Sequence, residues 1–317
     1  MAKKLLFDLD IDSSATFATN ASEFYTQALV GDEASKRSTR LFRQLLVMGE
    51  SGKLGNLVSE DVIQEAGCTF ASTDMDLYQK TITPEILSIG VDICQWDIEA
   101  SFISAYTKNV GTIDFLNTSG LNPELEAHML EIIGRKLSSN METLTWKGNK
   151  LGNTSTYLDY ADGLSVKLKA DGDVVRVANT TLTSANIITE IEKVYLAIPE
   201  ALGNDVKIGL STMGMRLYKL AVAKQNNLNY ITASMADSMI DYDIVELPGL
   251  DRNEMVATVF DKNFIYATDI TRDPDLEVIN LKKSIGDRKY RIIGDFKFAV
   301  DFINPEEIVY YTAASVS

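Results

Sequence analysis

The residues nearest to a catalytic arrangement open the chain, where Leu5-Leu6-Phe7-Asp8-Leu9-Asp10 runs an apolar strand into an Asp-x-Asp pair. Two carboxylates so spaced can serve a phosphoryl group, with Asp8 as the nucleophile and Asp10 as the proton donor. The continuation departs from that chemistry, because Ile11-Asp12 stands where a flexible Gly-Thr is needed and no βαβ unit follows promptly. Asp8, Asp10 and Asp12 also imitate the start of a calcium loop. Ser13 replaces its glycine and Thr19 its bidentate glutamate, so that site is rejected. In Gly49-Glu50-Ser51-Gly52-Lys53 the glycines are three apart instead of five and Leu54 follows the lysine, which makes it a turn and not a phosphate loop.

The remaining chemistry-bearing residues are few. His128 is the single histidine, and zinc sites and acyl-transfer triads usually draw on imidazole. Its setting, Pro123-Glu124-Leu125-Glu126-Ala127-His128-Met129-Leu130, reads as a helix start, so His128 is expected on a helix surface. Cys68 and Cys94, the only cysteines, are too few for a disulfide scaffold and too far apart for a metal knuckle. They read as buried small apolar residues in a reducing compartment. Trp96 and Trp146 lie among apolar neighbours and read as core or interface anchors. No catalytic, cofactor-binding or metal-binding residue is therefore predicted.

Charge narrows the field further. The 317 residues carry 30 basic and 45 acidic side chains, a net charge of -15, and an excess of carboxylates repels the phosphate backbone. A dedicated duplex reader is disfavoured. Lys36, Arg37, Arg40 and Arg43 form the one dense basic cluster, spaced like a helix with Leu41, Leu45 and Leu46 between them. That segment is read as a solvated or subunit-contacting helix face, with a loose contact to nucleic acid as the alternative. At 45% apolar residues the chain has material for a core, and at roughly 150 residues per domain it makes about two packing units. No apolar run approaches the ~18 residues of a membrane helix. The start meets aspartates and no signal-peptide core, so the expectation is a soluble, unexported chain.

The elements that would position any site are partly readable. Residues 1 to about 31 are Ser-, Thr-, Ala- and Asp-rich and resemble an extended arm. Gly67 to Pro84 has β-leaning residues either side of Ser72-Thr73-Asp74, which predicts a two-stranded projection, marginal unless it lies on another surface. After Gly120, Asn122 can cap and Pro123 suits the first helical position. Leu130, Ile133, Leu137, Met141 and Leu144 then recur every three or four residues, giving a helix of about 20 residues that Trp146-Lys147-Gly148-Asn149 ends. Leu164, Val166 and Leu168 alternate with Ser165, Lys167 and Lys169, and Asp171-Gly172 follows. This predicts a hairpin with its second strand at Val174 to Val177.

An αβα block comes next: a helix with Ile187, Ile191, Val194 and Ile198, a strand at Val206 to Leu210, and a helix buried through Met213, Leu217, Leu220 and Ala221. The last third is β-rich, with strands at Met255 to Phe260, Phe264 to Thr268, Leu276 to Leu281, Tyr290 to Ile293, Phe296 to Phe302 and, after Asn304-Pro305-Glu306-Glu307, Ile308 to Thr312. Strands on both sides of the block predict one mixed α+β body with an inserted unit.

Arm, projection, long capped helix, αβα block and closing strands, in that order, resemble the major capsid protein of tailed bacteriophages, the Hong-Kong-97-type fold. Phrases within the chain are similar to capsid sequences too: Trp146-Lys147-Gly148-Asn149 with Ala161-Asp162-Gly163-Leu164, then Glu246-Leu247-Pro248-Gly249-Leu250 and Asn304-Pro305-Glu306-Glu307. The resemblance implies an N-terminal arm and short helix over 1–55 and an extended β-hairpin loop over 56–90. It implies a peripheral domain over 91–183 with a spine helix at 121–143, an axial domain over 184–287, and return strands of the peripheral domain over 288–317.

That resemblance also implies a non-enzymatic subunit of the virion, assembled in the host cytoplasm as hexamers and pentamers into an icosahedral head around double-stranded DNA. Its partners would be copies of itself, portal, head-decoration or scaffolding proteins, and packaged DNA touched weakly and non-specifically. It implies no membrane, and almost nothing precedes the arm that could be a cleaved scaffolding domain. Two alternatives stand beside it. One is an encapsulin-like compartment shell. The other is a phosphatase resembling the haloacid-dehalogenase-like enzymes through Asp8 and Asp10.

Overall fold

The computed structural model describes residues 29, 37–47, 51–59, 75–94, 123–152, 154–226, 238–239, 242–269, 275–281, 287 and 289–312. Two sheets and four helices organise them. The longest helix, α1 (Pro123–Lys147, 25 residues), carries the predicted apolar row. Leu130, Ile133, Met141 and Leu144 are buried, and Leu137 packs against the same core. The cap at Asn122 lies outside the described residues, and the helix stops where Gly148 follows Lys147.

A five-stranded sheet lies under α1. Its long strand β12 (Lys289–Phe302) runs unbroken through the two strands predicted there, and β4 (Glu85–Cys94) pairs antiparallel along ten of its residues. On the other side β12 holds β11 (Asp275–Asn280) and β10 (Phe264–Thr268), both antiparallel, and β1 (Arg43–Leu46) closes the edge parallel to β10. The strict alternation of Phe296, Phe298, Val300 and Phe302 puts all four into the core beneath the helix.

The second sheet has six strands in the order β5 (Val175–Ala178), β13 (Val309–Thr312), β9 (Met255–Thr258), β6 (Lys207–Ser211), β8 (Tyr242–Leu247) and β7 (Ser238–Met239). It divides two cores. Val256 and Tyr310 join the α1 core, whereas Met255, Ala257, Val309 and Tyr311 join a second core with α3 (Ile187–Leu196) and α4 (Thr212–Asn226). Burial on both faces explains why these strands read as continuous apolar runs.

Four sequence expectations are corrected, the last of them in the β2–β3 ladder described below. Leu164–Ala170 is not a strand but a helix, α2, and Val175–Ala178 pairs with β13 instead of with it. The spacing of Leu164 and Leu168 fits both periods, and Leu, Lys and Ala favour the helix that buries both leucines completely. Leu168→Ala is therefore expected to lower stability by about 2–5 kcal/mol and Val166→Ala, on the half-buried side, by about 1 kcal/mol in urea unfolding. Equal effects would mark a strand.

Second, α4 turns only part of its predicted row inward, since Ala221 is buried and Leu217 packs against the second core. Met215, Tyr218 and Ala221 are buried, while Met213 and Leu220 stay 37% and 47% exposed. Third, the basic cluster is not helical. Ser38–Leu41 is a single 3-10 turn that leads into β1.

A separate two-stranded ladder pairs β2 (Gly52–Ser59) antiparallel with β3 (Met75–Ile82). The predicted turn at Ser72-Thr73-Asp74 lies outside the described residues. The strand opposite β3 comes from 52–59, so Gly52 and Lys53, read as a turn, are in a strand.

Candidate assembly surface and the hub that positions it

Three of the four capsid-like phrases meet in space at the end of α1. Trp146 is fully buried, edge-on to Phe42 at 5.9 Å and to Phe264 at 6.0 Å. The Gly163 amide donates to the Gly148 carbonyl at 2.9 Å, and Lys147 pairs with Asp251 at 2.7 Å. Three glycines are required by close approach, and a Cβ on the first, Gly148, would overlap the Ala161 carbonyl. A Cβ on Gly163 would lie 2.7 Å from the Trp146 carbonyl group, and one on Gly249 would overlap the Glu142 carbonyl and lie 2.6 Å from Trp146 Cδ1. The fourth phrase is a turn, as read, in which Asn263 and Asn304 each donate to Glu307 at 3.0 Å.

Beside Trp146 sits a buried polar cluster that the sequence did not signal. Ser38 donates its hydroxyl to Glu142 at 2.5 Å and its amide at 3.2 Å, and accepts from Trp146 Nε1 at 2.8 Å. The Gly249 amide donates to the same carboxylate at 3.3 Å. Arg37 is buried, with Nε 3.8 Å from Glu142. Burial pushes the Glu142 carboxyl above the usual carboxylate range, against the opposing pull of Ser38 and Arg37. Burial also raises the Tyr266 phenol beside them. Arg37 is thus an internal residue, which corrects its reading as part of a solvated or nucleic-acid-facing surface. Arg40 and Arg43 are exposed, and Lys36 lies outside the described residues.

The root of the β2–β3 ladder has its own anchor. Lys80 Nζ reaches Asp301 at 2.7 Å and the Phe302 carbonyl at 3.1 Å, and lies 3.9 Å above the Phe302 ring. Lys167 on α2 approaches the other oxygen of Asp301 at 3.3 Å and donates to the Val300 carbonyl at 2.7 Å. Asp301 is buried, so one carboxylate ties the ladder, α2 and the sheet together. Val47, Ile82, Ile265, Ala267 and Ala299 form a small apolar cluster at the same root.

What these anchors hold in place is uncovered surface. Between α1 and β4 runs an apolar groove of about 370 Å³, lined by Leu87, Ile89, Ile132, Leu137 and Tyr160 among others. Ile132 is 54% and Tyr160 60% exposed, and Ile86 and Leu151 nearby reach 72% and 88%. Among the described residues β4 pairs only with β12, which leaves its outer edge open. Among the described residues this joins contiguous apolar surface to an unpaired strand edge, the kind of surface at which protein, membrane or ligand contacts form.

The sequence-level candidates are scattered. Asp8, Asp10, Asp12, Cys68 and Trp96 lie outside the described residues, and His128 falls on α1, as read from the sequence. Trp146 is the core anchor it was read to be. Cys94, expected buried, is a half-exposed free thiol at the end of β4. Glu142, Ser38, Lys80 and Asp301 were missed. Polar residues give no periodic signal, and their partners are remote in sequence.

No protein-family model and no curated protein matches the chain. Solved structures do. The capsid protein of an empty GTA particle superposes over 90% of this chain and 92% of its own, with a TM-score of 0.58 at 14% identity. A chain of Gordonia phage Cozz superposes over 99% of this chain and 100% of its own, with a TM-score of 0.53 at 12% identity. The virus-like particle from Pyrococcus furiosus covers 94% and 100%, at 0.52 and 9% identity. The chain has the mixed α+β Hong-Kong-97-type fold, the architecture of capsid shells.

Proposed function

We propose that this chain is the major capsid protein of a tailed double-stranded DNA phage, a building block without catalytic activity. The observation that carries the proposal is the end-to-end correspondence, 99% of this chain on 100% of a phage protein in the case of Cozz. Copies assemble as hexamers and pentamers into an icosahedral head of the virion, in the host cytoplasm. In this reading 1–55 is the arm with its short helix and 56–90 the extended loop. Residues 91–183 and 288–317 form the peripheral domain around the spine helix, and 184–287 the axial domain.

Physical arguments support self-assembly. A two-stranded ladder is marginal alone and gains stability against a neighbour. The open edge of β4 and the exposed Ile86 and Ile132 gain a cover in the same way. Head-to-tail contacts between identical subunits close into rings, and obligate interfaces of this kind commonly bury about 2,000–5,000 Å². The net charge of -15 keeps the grip on packaged DNA weak and non-specific. Portal, head-decoration or scaffolding proteins are the other expected partners.

Sedimentation velocity of the expressed protein tests the proposal. Mass-action conversion from subunit to ring-sized and shell-sized species with rising concentration is the expected result, and a single monomer boundary at every concentration contradicts it. The virus-like particle from Pyrococcus furiosus, a shell from a cellular organism, matches equally fully, so the second reading is an encapsulin-like compartment shell. Nuclease-protected DNA inside purified particles supports the head, and a co-purifying protein cargo supports the compartment.

A further inference from the structure

We propose that the groove between α1 and β4 binds a single-chain monocarboxylate, a fatty acid or its analogue, with the chain along the helix and the carboxylate on Lys136. The site belongs to the single subunit and goes beyond the assembly reading.

The shape comes from α1. Its groove-lining residues run from Ile132 to Leu144, about 18 Å along the helix axis. A volume of about 370 Å³ spread over that length leaves a section of roughly 20 Å², room for one extended hydrocarbon chain and not for a ring system. Opposite the helix, Leu87, Ile89 and Val91 line the groove from β4. Its deeper wall is apolar and tightly held, since Leu87, Ile89, Ile133, Met141 and Leu144 are all buried. Ile132 and Tyr160 stand open at the rim. Such walls take up hydrocarbon from water, and the volume lies within the about 300–1,000 Å³ of small-molecule sites.

The charge comes from one residue. Lys136 is exposed and is the only Asp, Glu, Lys or Arg in the lining. Its neighbours one turn away on the helix are Ile132, Ile133, Ser139 and Asn140, so no acid on α1 is placed to pair with it. Its ammonium has no ion pair among the described residues. The cations beside it are engaged, Arg135 with Glu131 and Lys150 with Glu85. An unpaired cation at the lip of an apolar groove prefers a ligand with an anionic end over a neutral one. The lysine stem lies along apolar surface while its head supplies one point charge, which matches one carboxylate. A head of higher charge, such as a phosphate monoester, would be left partly uncompensated.

A copy of the chain that covers the groove excludes the ligand, so the site is open in the unassembled subunit. Isothermal titration calorimetry of the full chain, at concentrations that keep it unassembled, tests it with octanoate, decanoate and dodecanoate below their micelle concentrations. One-to-one binding is expected, tightening by about two- to fourfold with each added methylene. Octanol should bind about two- to fivefold more weakly than octanoate. Lys136→Met should weaken octanoate by that factor and leave octanol unchanged, and Lys136→Arg should restore most of the loss. Ile132→Ser should weaken both ligands. Absence of saturable binding by all three carboxylates overturns the proposal, and so does binding that Lys136→Met or Ile132→Ser leaves unchanged. Both positions are exposed, and thermal unfolding of each variant confirms that it folds. The titration reads a dilute subunit, so its failure leaves the shell proposal standing, and a chain that never assembles can still bind the ligand.

Discussion

Replacing Trp146 with alanine is expected to lower stability by about 3–5 kcal/mol, at the top of the range for a core truncation. The side chain is wholly buried and edge-on to two aromatic rings. Its loss removes a large apolar volume and the donor that Ser38 Oγ accepts from. The cavity cannot collapse easily, because the backbones of Gly163 and Gly249 already press against the indole and the adjoining chain. Trp146→Phe should recover part of the volume and none of the hydrogen bond, so its cost should fall between wild type and alanine. Urea unfolding of unassembled protein measures both, and a loss under about 1 kcal/mol for the alanine variant would remove Trp146 from the hub.

Asp301→Ala should be nearly as costly, by about 2–4 kcal/mol. The figure lies below the 3–5 kcal/mol of a fully buried broken pair because the partners Lys80 and Lys167 are 29% and 31% exposed and can rehydrate. The change also severs the root of the β2–β3 ladder from the sheet. Assembly should suffer more than the fold: at a concentration where the unmodified protein is fully assembled, the variant should remain mostly unassembled. Lys80→Ala separates the two effects. It removes the ladder's anchor and leaves Lys167 on Asp301, so it should reproduce the assembly defect at a smaller stability cost. Normal assembly by both variants would show that the ladder's direction does not depend on this carboxylate.

α1 was legible because its five apolar positions keep one period over many turns, and every one of them packs where that period places it. The β-rich last third was legible for the same reason, down to the alternation of Phe296 through Phe302. Short segments were not. Six residues from Leu164 to Lys169 satisfy a two-residue period and an i, i+4 pair together, and only the tertiary context decides. In α4 two apolar rows compete, and the packing selects Met215 and Tyr218 over Met213 and Leu220. Gly52, Gly55 and Asn56 have low β-propensity, so β2 is a strand because β3 pairs with it.

The hub escaped sequence reasoning in a more basic way. Trp146, Gly163 and Gly249 appeared as separate phrases, and nothing local says that they touch. Ser38 and Glu142 lie 104 residues apart, and polar residues that meet only in the fold leave no periodic trace. Even so, the glycines in those phrases were a usable signal. Gly163 sits where its backbone meets the Trp146 main chain, and Gly249 where its backbone meets the indole, both more closely than a side chain allows.

The claim on which the rest depends is that the groove, the open edge of β4 and the ladder are completed by further copies of the same chain. Electron microscopy of the purified protein, imaged at increasing concentration, examines that claim in one step. Closed shells or tubes built from regular rings are the predicted result. A field of isolated single subunits at the highest concentration would contradict it.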